Sequence, residues 1–134
     1  MRDSHSDPAV DVITGDMVDA ALAVHTAMGP GLLERVYQVC LAHELESRGH
    51  QVEVEVLAPV VFNGIRLDAG YRLDLLVDGK VIVEVKAVQA LDEVHVAQLL
   101  TYLRMTACPV GLLINFNEAH LRRGIRRVTP RRKV

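Results

Sequence analysis

Apolar side chains recur at helical spacing through the first third of the chain. Positions three or four residues apart predict a helix that begins at Asp11 or Thr14 and ends at Met28, before a Gly-Pro-Gly turn. A second apolar stripe predicts a helix over residues 32–48, followed by a glycine that suits a helix end. The two helices are expected to form a hairpin, and residues 1–10 before them are expected to be disordered.

Beyond these helices the hydrophobic period changes from 3.6 to two. Residues 51–88 alternate apolar and polar positions around Asn-Gly and Asp-Gly pairs, which predicts a meander of three or more strands. A helix over 92–106 and a continuously apolar strand over 110–116 follow, then a short helix at 118–123 and an edge strand at 125–129. Since a buried strand after a helix needs a crossover connection, we expect an α/β fold in which helices flank a mixed sheet.

Three charged side chains interrupt the paired strands of the segment YRLDLLVDGKVIVEVKA. Asp74, Glu84 and Lys86 lie within the strands rather than at their ends. An ionised side chain in a half-buried strand costs several kcal/mol unless an ion pair or a metal compensates for it. Alternation places Glu84 and Lys86 on one face, about 7 Å apart along the strand. They either pair with each other in solvent or belong to a functional site.

The Asp-Gly turn between these strands decides whether Asp74 joins them. A two-residue turn would pair Val77 with Lys80 and point Asp74 to the opposite face of the sheet. A three-residue bulged turn with Gly79 at positive φ places Asp74 on the face of Glu84, diagonally across from it. We expect the bulged turn, because only that register lets the two carboxylates hold one divalent cation.

Two carboxylates and a lysine around a magnesium ion suit the hydrolysis of phosphodiester bonds. The metal polarises the phosphoryl oxygens and helps to deprotonate a water molecule, while the ammonium group orients that water or neutralises charge in the transition state. The strand pair therefore carries the candidate chemistry of this chain.

Charge is distributed unevenly along the chain, although the net charge is only −2. Residues 122–134 hold seven of the 15 Lys and Arg and no acid, which leaves eight bases against 17 acids, a balance of −9, in residues 1–121. A basic segment of this kind either contacts a polyanion such as nucleic acid or neutralises an acidic body. The candidate nucleic-acid-binding residues are Arg122, Arg123, Arg126, Arg127, Arg131, Arg132 and Lys133.

The composition excludes several classes of protein. Two cysteines give no disulfide framework and no four-thiolate metal site, so a reducing, cytoplasmic setting is expected. No segment has the roughly 18 uninterrupted apolar residues that a membrane span needs, nor the pattern of a signal peptide. With 134 residues the chain suits a single domain, which we expect over residues 11–129 with a basic tail at 130–134.

The motif D-x9-E-V-K after a β-hairpin resembles that of the PD-(D/E)XK nuclease superfamily, and GLLERVY at 31–37 resembles the signature of its GxxExxY branch. Further similar segments occur in the same order: the Gly-Pro-Gly turn, LAHEL, HVAQLLTYL and GLLINF. The resemblance covers roughly residues 14–128 and implies a restriction-endonuclease-like core. Leu73 stands in place of the proline of the superfamily name, which leaves the acid itself unchanged.

The resemblance also implies roles for individual residues. Asp74 and Glu84 would bind the metal together with the backbone carbonyl of Val85, Lys86 would be the catalytic lysine, and Glu34 would supply an acid from the preceding helix. Gln98 and Tyr102 resemble the Q-x-x-x-Y element of RecB-type exonucleases, one turn apart on a helix face. Two simpler interpretations stay open: Glu34 as a first-turn acid favoured by the helix dipole, and Tyr102, like Tyr37, as a packing residue.

These features together predict a nuclease that hydrolyses DNA with Mg²⁺ or Mn²⁺, in repair, recombination or mobile-element and defence processes. The alternative is a nucleic-acid-binding or regulatory module on the same fold that does not cleave. Duplex, branched and single-stranded DNA stay open as substrates, although the absence of Trp and the presence of only two Phe give little support for stacking on single-stranded bases. A homodimer could contact both strands, but the sequence shows no clear interface for one.

Overall fold

A computed structural model describes residues 8–130 of the protein. The helices are α1 (Pro8–Met28), α2 (Glu34–Ser47) and α3 (Glu93–Thr106), with a 3₁₀ turn at Leu121–Gly124. The strands are β1 (Val52–Leu57), β2 (Val60–Phe62), β3 (Ile65–Leu67), β4 (Arg72–Val77), β5 (Val81–Lys86), β6 (Val110–Asn115) and β7 (Ile125–Val128). No helix in the described part of the chain is long and apolar enough to cross a bilayer.

Five strands form one mixed sheet in the order β1-β4-β5-β6-β7. Strands β5 and β6 are parallel and are connected through α3, whereas the other neighbouring pairs are antiparallel. Helices α1 and α2 pack on one face of this sheet and α3 packs on the other, each over its own apolar cluster. The expected α/β fold with a mixed sheet flanked by helices is confirmed, including the crossover that leads into β6.

The first helix begins earlier than the pattern predicted. It starts at Pro8 rather than at residues 11–14, because proline fits the first turn of a helix and Val10 is already buried against the core. The prediction of disorder is therefore wrong for residues 8–10, and residues 1–7 lie outside the described part. Helix α2 is shorter than the predicted 32–48 segment by two residues at its start and one at its end.

The strand region is not a simple meander. Strands β2 and β3 pair with each other in a separate two-stranded sheet. Strand β1, which precedes them in the chain, pairs instead with β4, which follows them. The hairpin of β2 and β3 exposes Phe62 and Ile65, so it packs less closely than the main sheet. The helix predicted at 118–123 is instead the 3₁₀ turn at Leu121–Gly124, and the predicted edge strand is present as β7.

The turn between β4 and β5 has the predicted odd length. Val77 pairs with Val81, and Gly79 has a φ of 65°; the preceding Asp78 also has a positive φ of 53°. Continuing this register places Asp74 directly opposite Glu84 on the same face. The predicted diagonal placement is therefore wrong. A three-residue loop that pairs Val77 with Val81 also pairs each preceding residue of β4 with the next residue of β5, which brings Asp74 level with Glu84.

Side chains from outside the hairpin stabilise this turn. The carboxylate of Asp78 accepts a hydrogen bond from the backbone N–H of Gln51 at 2.9 Å and contacts Nδ1 of His50 at 2.6 Å. The other ring nitrogen of His50 contacts Asp16 on α1 at 2.5 Å. The turn that sets the register is therefore fastened to both β1 and α1.

Replacing Gly79 by valine should destabilise the protein by about 1 to 2 kcal/mol, the cost of a branched side chain in the left-handed region. A Cβ at this position would meet no atom within 4 Å, so the cost is conformational rather than steric crowding. Urea unfolding measures it, with Gly79→Asn as the control, since asparagine tolerates the left-handed region. Equal stability of the two variants would contradict the backbone explanation.

Candidate active site

The regular alternation of β4 is interrupted at Asp74. Leu75 packs in the apolar cluster beneath α1 and α2, whereas Leu73, two positions earlier, packs in the cluster beneath α3. In a regular strand, residues two apart share a face. Glu55, which the register places opposite Asp74, has a positive φ of 53°, an uncommon conformation for a residue with a side chain. The edge strand β1 and its neighbour β4 are thus both irregular at the level of Asp74.

The carboxylates of Asp74 and Glu84 take the place of backbone hydrogen bonds between their strands. The N–H of Asp74 donates to Oε2 of Glu84 at 2.9 Å, and the N–H of Val85 donates to Oδ2 of Asp74 at 2.7 Å. The other oxygen of each carboxylate has no hydrogen-bond partner among residues 8–130, and neither oxygen is fully enclosed. The backbone therefore orients both acids while leaving one oxygen of each for a ligand.

Burial and proximity make both acids hard to ionise. Glu84 is only 4% exposed, and burial together with the neighbouring charge of Asp74 raises its pKa to about 7. Burial likewise raises the pKa of Asp74, against the opposing effects of the Val85 N–H and of Lys86. A bound cation would favour the ionised form of both groups, so this pair of carboxyl groups is suited to bind one.

Lys86 and Glu34 both act electrostatically on this pair. Lys86 is half-buried at the end of β5, forms no ion pair among residues 8–130, and lowers the pKa of both Asp74 and Glu84. Glu34 has the opposite effect on both acids, and its Oε2 accepts a hydrogen bond from the N–H of Ala87 at 3.3 Å. The structure thus brings Glu34 to the end of the strand that carries Lys86, and its role in the site stays a prediction.

The loop before α2 is what delivers Glu34 to this place. The hydroxyl of Tyr37 donates to the carbonyl of Gly29 at 2.6 Å and accepts from the N–H of Leu32 at 3.0 Å. Its ring stacks on Phe116 with centroids 4.6 Å apart. Gly31 in the same loop has a φ of 96°. The packing interpretation of Tyr37 is therefore supported, and its effect is to shape the loop from which α2 starts.

Tyr102 and Gln98 lie on α3, over the face of the sheet that carries Glu84. Tyr102 is buried with its ring 4.7 Å from that of Tyr71, and burial, Tyr71 and the negative charges of Glu84 and Asp74 raise its pKa. Gln98 is half-buried one turn earlier, and its side chain forms no hydrogen bond within residues 8–130. Tyr102 is thus a packed residue whose pKa the charges of the two acids raise. A catalytic role for Tyr102 or Gln98 stays a prediction.

The two carboxylates suit Mg²⁺ better than a metal ion that takes all its ligands from protein side chains. Within residues 8–130 no group of three or more His, Cys, Asp or Glu side chains is arranged to hold a metal. Mg²⁺ commonly binds through one or two carboxylates and completes its shell with water and phosphate. Asp74 and Glu84, each with one oxygen available, fit that requirement, and the ligation by Val85 and Glu34 stays a prediction.

The basic residues near the C-terminal end are only partly available. Arg122 and Arg123 on the 3₁₀ turn and Arg126 on β7 are exposed, whereas Arg127 forms an ion pair with Asp11 at 2.8 Å. Leu113 of β6 pairs with Glu84 on one side and with Arg126 on the other. Arg126 is therefore level with Glu84 two strands away, at about 10 Å between backbones. The predicted Arg131, Arg132 and Lys133 lie outside the described residues.

Asn115 is a residue of this region that the sequence pattern did not single out. It is buried at the end of β6, where its Oδ1 accepts from the N–H of Val88 at 3.0 Å and its Nδ2 donates to the carbonyl of Val88 at 2.9 Å. These bonds fasten the segment that follows Lys86. A single amide within the otherwise apolar run VGLLINF was the available signal.

A comparison with protein families gives an independent indication of what this arrangement is. A family model described as the PD-(D/E)XK nuclease superfamily matches residues 11–128, which include the strand pair, α2 and α3. Neither a curated protein nor a solved structure matches the chain significantly. Because the match extends over most of the chain and contains the acids and the lysine described above, the protein belongs to the PD-(D/E)XK nuclease superfamily.

Proposed function

We propose that the protein hydrolyses phosphodiester bonds of DNA with the help of Mg²⁺ or Mn²⁺. The observation that carries this proposal is the pair of Asp74 and Glu84, fixed by backbone N–H groups with one oxygen of each left available, beside Lys86. The superfamily accounts for a nucleic-acid substrate in general. DNA as the substrate and Mg²⁺ or Mn²⁺ as the ion are the finer parts of this proposal.

Each residue of the site has a defined task in this proposal. Asp74, Glu84 and the carbonyl of Val85 would hold the ion, with Glu34 in reach directly or through water. When bound, the ion would polarise the phosphoryl group and make a water molecule more acidic. Lys86 neutralises charge that develops on the phosphoryl oxygens, and Tyr102 and Gln98 present a phenol and an amide toward the same face.

The GxxExxY branch is the finer assignment within the superfamily that we favour. Gly31, Glu34 and Tyr37 occupy the three positions of that signature: Gly31 lies in the loop before α2, and Glu34 and Tyr37 lie in the first turn of α2. A cytoplasmic location and a homodimer remain predictions of the sequence.

The alternative function is a module that binds nucleic acid without cleaving it. The charge balance of −9 in residues 1–121 favours this reading, because such a body repels phosphate except near the basic segment. The paired carboxylates, which backbone N–H groups orient with one oxygen of each left available, favour cleavage instead, because buried acids with a raised pKa in such pairs are typical of catalytic sites.

Incubation with labelled nucleic acids separates the two functions. Single-stranded, duplex and branched DNA, and the corresponding RNA, are each treated with the protein in Mg²⁺, Mn²⁺ or EDTA. We expect metal-dependent cleavage of DNA that is lost in the Glu84→Gln variant. Binding without cleavage under all conditions would favour the alternative, and cleavage by the variant at the wild-type rate would indicate a contaminant.

The basic segment should provide affinity rather than chemistry. Charge reversal of Arg131, Arg132 and Lys133, or of Arg122, Arg123 and Arg126, is expected to weaken DNA binding. The slope of log affinity against log salt should become shallower by about 0.9 for each lost contact to a duplex phosphate. Salt titrations of binding measure this, with Lys80→Glu in the β4–β5 turn as control. Unchanged slopes in both triple variants would mean that the segment only neutralises the acidic body.

A further inference from the structure

Gln38 of α2 approaches the backbone of Asp74 from the face of the sheet that α1 and α2 cover, opposite to α3. Its Nε2 lies 3.3 Å from the carbonyl oxygen of Asp74, and its side chain is buried with only 7% of the residue exposed. A carbonyl oxygen can only accept a hydrogen bond, so the amide nitrogen must be the atom that faces it. The contact joins α2 to the strand position at which the alternation of β4 is interrupted.

The contact with Gln38 lies where β4 departs from regular pairing. By the register, the residue that faces Asp74 on β5 is Glu84, and the residue that faces it on β1 is Glu55, which has a positive φ of 53°. At this level the carboxylates of Asp74 and Glu84 accept the N–H groups of Val85 and Asp74, so regular backbone pairing alone does not orient the Asp74 peptide. The hydrogen bond from Gln38 fixes the carbonyl side of this residue and so stabilises the backbone orientation that turns the carboxylate toward Val85.

The same helix face acts on both strands of the site. Gln38 lies four residues after Glu34, so the two side chains project from one face of α2, one turn apart. Glu34 accepts a hydrogen bond from the N–H of Ala87, just beyond Lys86, while Gln38 donates to Asp74. Helix α2 is therefore connected to β4 at the acid and to β5 at the lysine.

We propose that Gln38 is a positioning residue that keeps the Asp74 carboxylate in its metal-binding orientation. This inference rests on the proposed function for its catalytic consequence, but its structural part concerns only the hydrogen bonds of Asp74 and Val85. Gln38 itself touches neither the ion nor the substrate. Its effect reaches the site through the carbonyl of Asp74.

The test replaces Gln38 by methionine, which keeps the length and volume of the side chain but cannot donate. Gln38→Glu is a second variant with the same shape, and His43→Met on the exposed side of the same helix is the control. Amide hydrogen exchange is measured for Val85, with the Leu112 amide in the sheet centre as reference for global opening. Calorimetric Mn²⁺ titration and steady-state kinetics are measured on the same full-length proteins.

We expect both Gln38 variants to raise the exchange rate of the Val85 amide about tenfold relative to that of Leu112, and to weaken Mn²⁺ binding by a similar factor. The value of kcat should fall by roughly ten- to a hundredfold while KM for DNA is unchanged, as expected for a misplaced catalytic group. The His43 variant should match the wild type in all of these measurements.

A rise in exchange that is equal at Val85 and Leu112 would mean that Gln38 only stabilises the fold, and it would overturn the proposal. So would unchanged exchange and Mn²⁺ affinity in both variants. If the wild type cleaves no nucleic acid, the proposed function fails, whereas the exchange and the Mn²⁺ titration still decide the role of Gln38. The two failures are therefore distinguishable.

Discussion

Replacing Lys86 by alanine is expected to lower the rate of phosphodiester hydrolysis by roughly 10²- to 10³-fold, the usual effect of removing one preorganised charge or donor from a transition state. Lys86 forms no ion pair within residues 8–130, so its ammonium group is free to serve the reaction. Lys86 lies two residues after Glu84 on the same strand, and its charge lowers the pKa of both acids. The loss should therefore appear in kcat, with little change in KM for DNA.

Lys80→Ala is the matched control, because Lys80 is an exposed lysine in the turn at the other end of the same strand pair. Lys86→Arg is an informative third variant, since guanidinium keeps the charge but not the compact shape of an ammonium group. It should retain only part of the activity. A Lys86→Ala enzyme with wild-type kcat would exclude Lys86 from the chemistry and would leave the two acids without their expected partner.

The register of the site could be predicted from the sequence because sheet parity allows only two outcomes. Either Asp74 shares a face with Glu84 or it points away, and the turn length decides between them. The odd-length turn with Gly79 at positive φ is confirmed. The helical periods around the strands were equally informative, since the stripe on α3 and its Asp92 cap match the predicted segment.

The details that make the pair of acids unusual could not be read from the pattern. Leu73 and Leu75 look alike in the alternation, yet they pack on opposite faces because the Asp74 peptide leaves the regular ladder. Gln38 looks like a solvent-facing position between apolar residues, and only the approach of α2 to β4 buries it. Both features depend on contacts between segments far apart in sequence, on which local periodicity carries no information.

The separate β2–β3 hairpin shows the same limit at the level of topology. Alternation and an Asn-Gly pair identify Val60–Phe62 and Ile65–Leu67 as strands, but not their partners. Strand β1 is mostly exposed, like the hairpin strands, and its contributions to the core are the half-buried Val52 and Val56. Local exposure therefore does not tell which of these strands pairs with β4.

Glu84→Gln should stabilise the protein without metal, by an amount that grows with pH. The folded-state pKa of Glu84 is raised from 4.5 to about 7, so the native state binds this proton more tightly than the unfolded chain does. Stability is therefore lost as the pH rises from about 4.5 to about 7, and the full penalty of about 3 kcal/mol applies above that range. Glutamine removes the ionisation, while its amide oxygen can still accept the hydrogen bond from the N–H of Asp74.

The melting temperature of Glu84→Gln in EDTA should accordingly exceed that of the wild type by roughly 5 to 10 °C at pH 8, and by little at pH 4. Glu53→Gln on the exposed side of β1 is the control and should show no such pH-dependent difference. Added Mg²⁺ should raise the melting temperature of the wild type alone, because only the paired carboxylates bind the ion and binding stabilises the folded state. A melting temperature lowered by the substitution at pH 8 would identify Glu84 as the structural partner of a cation such as Lys86, and a stabilisation by Mg²⁺ that persists in the variant would place the ion elsewhere.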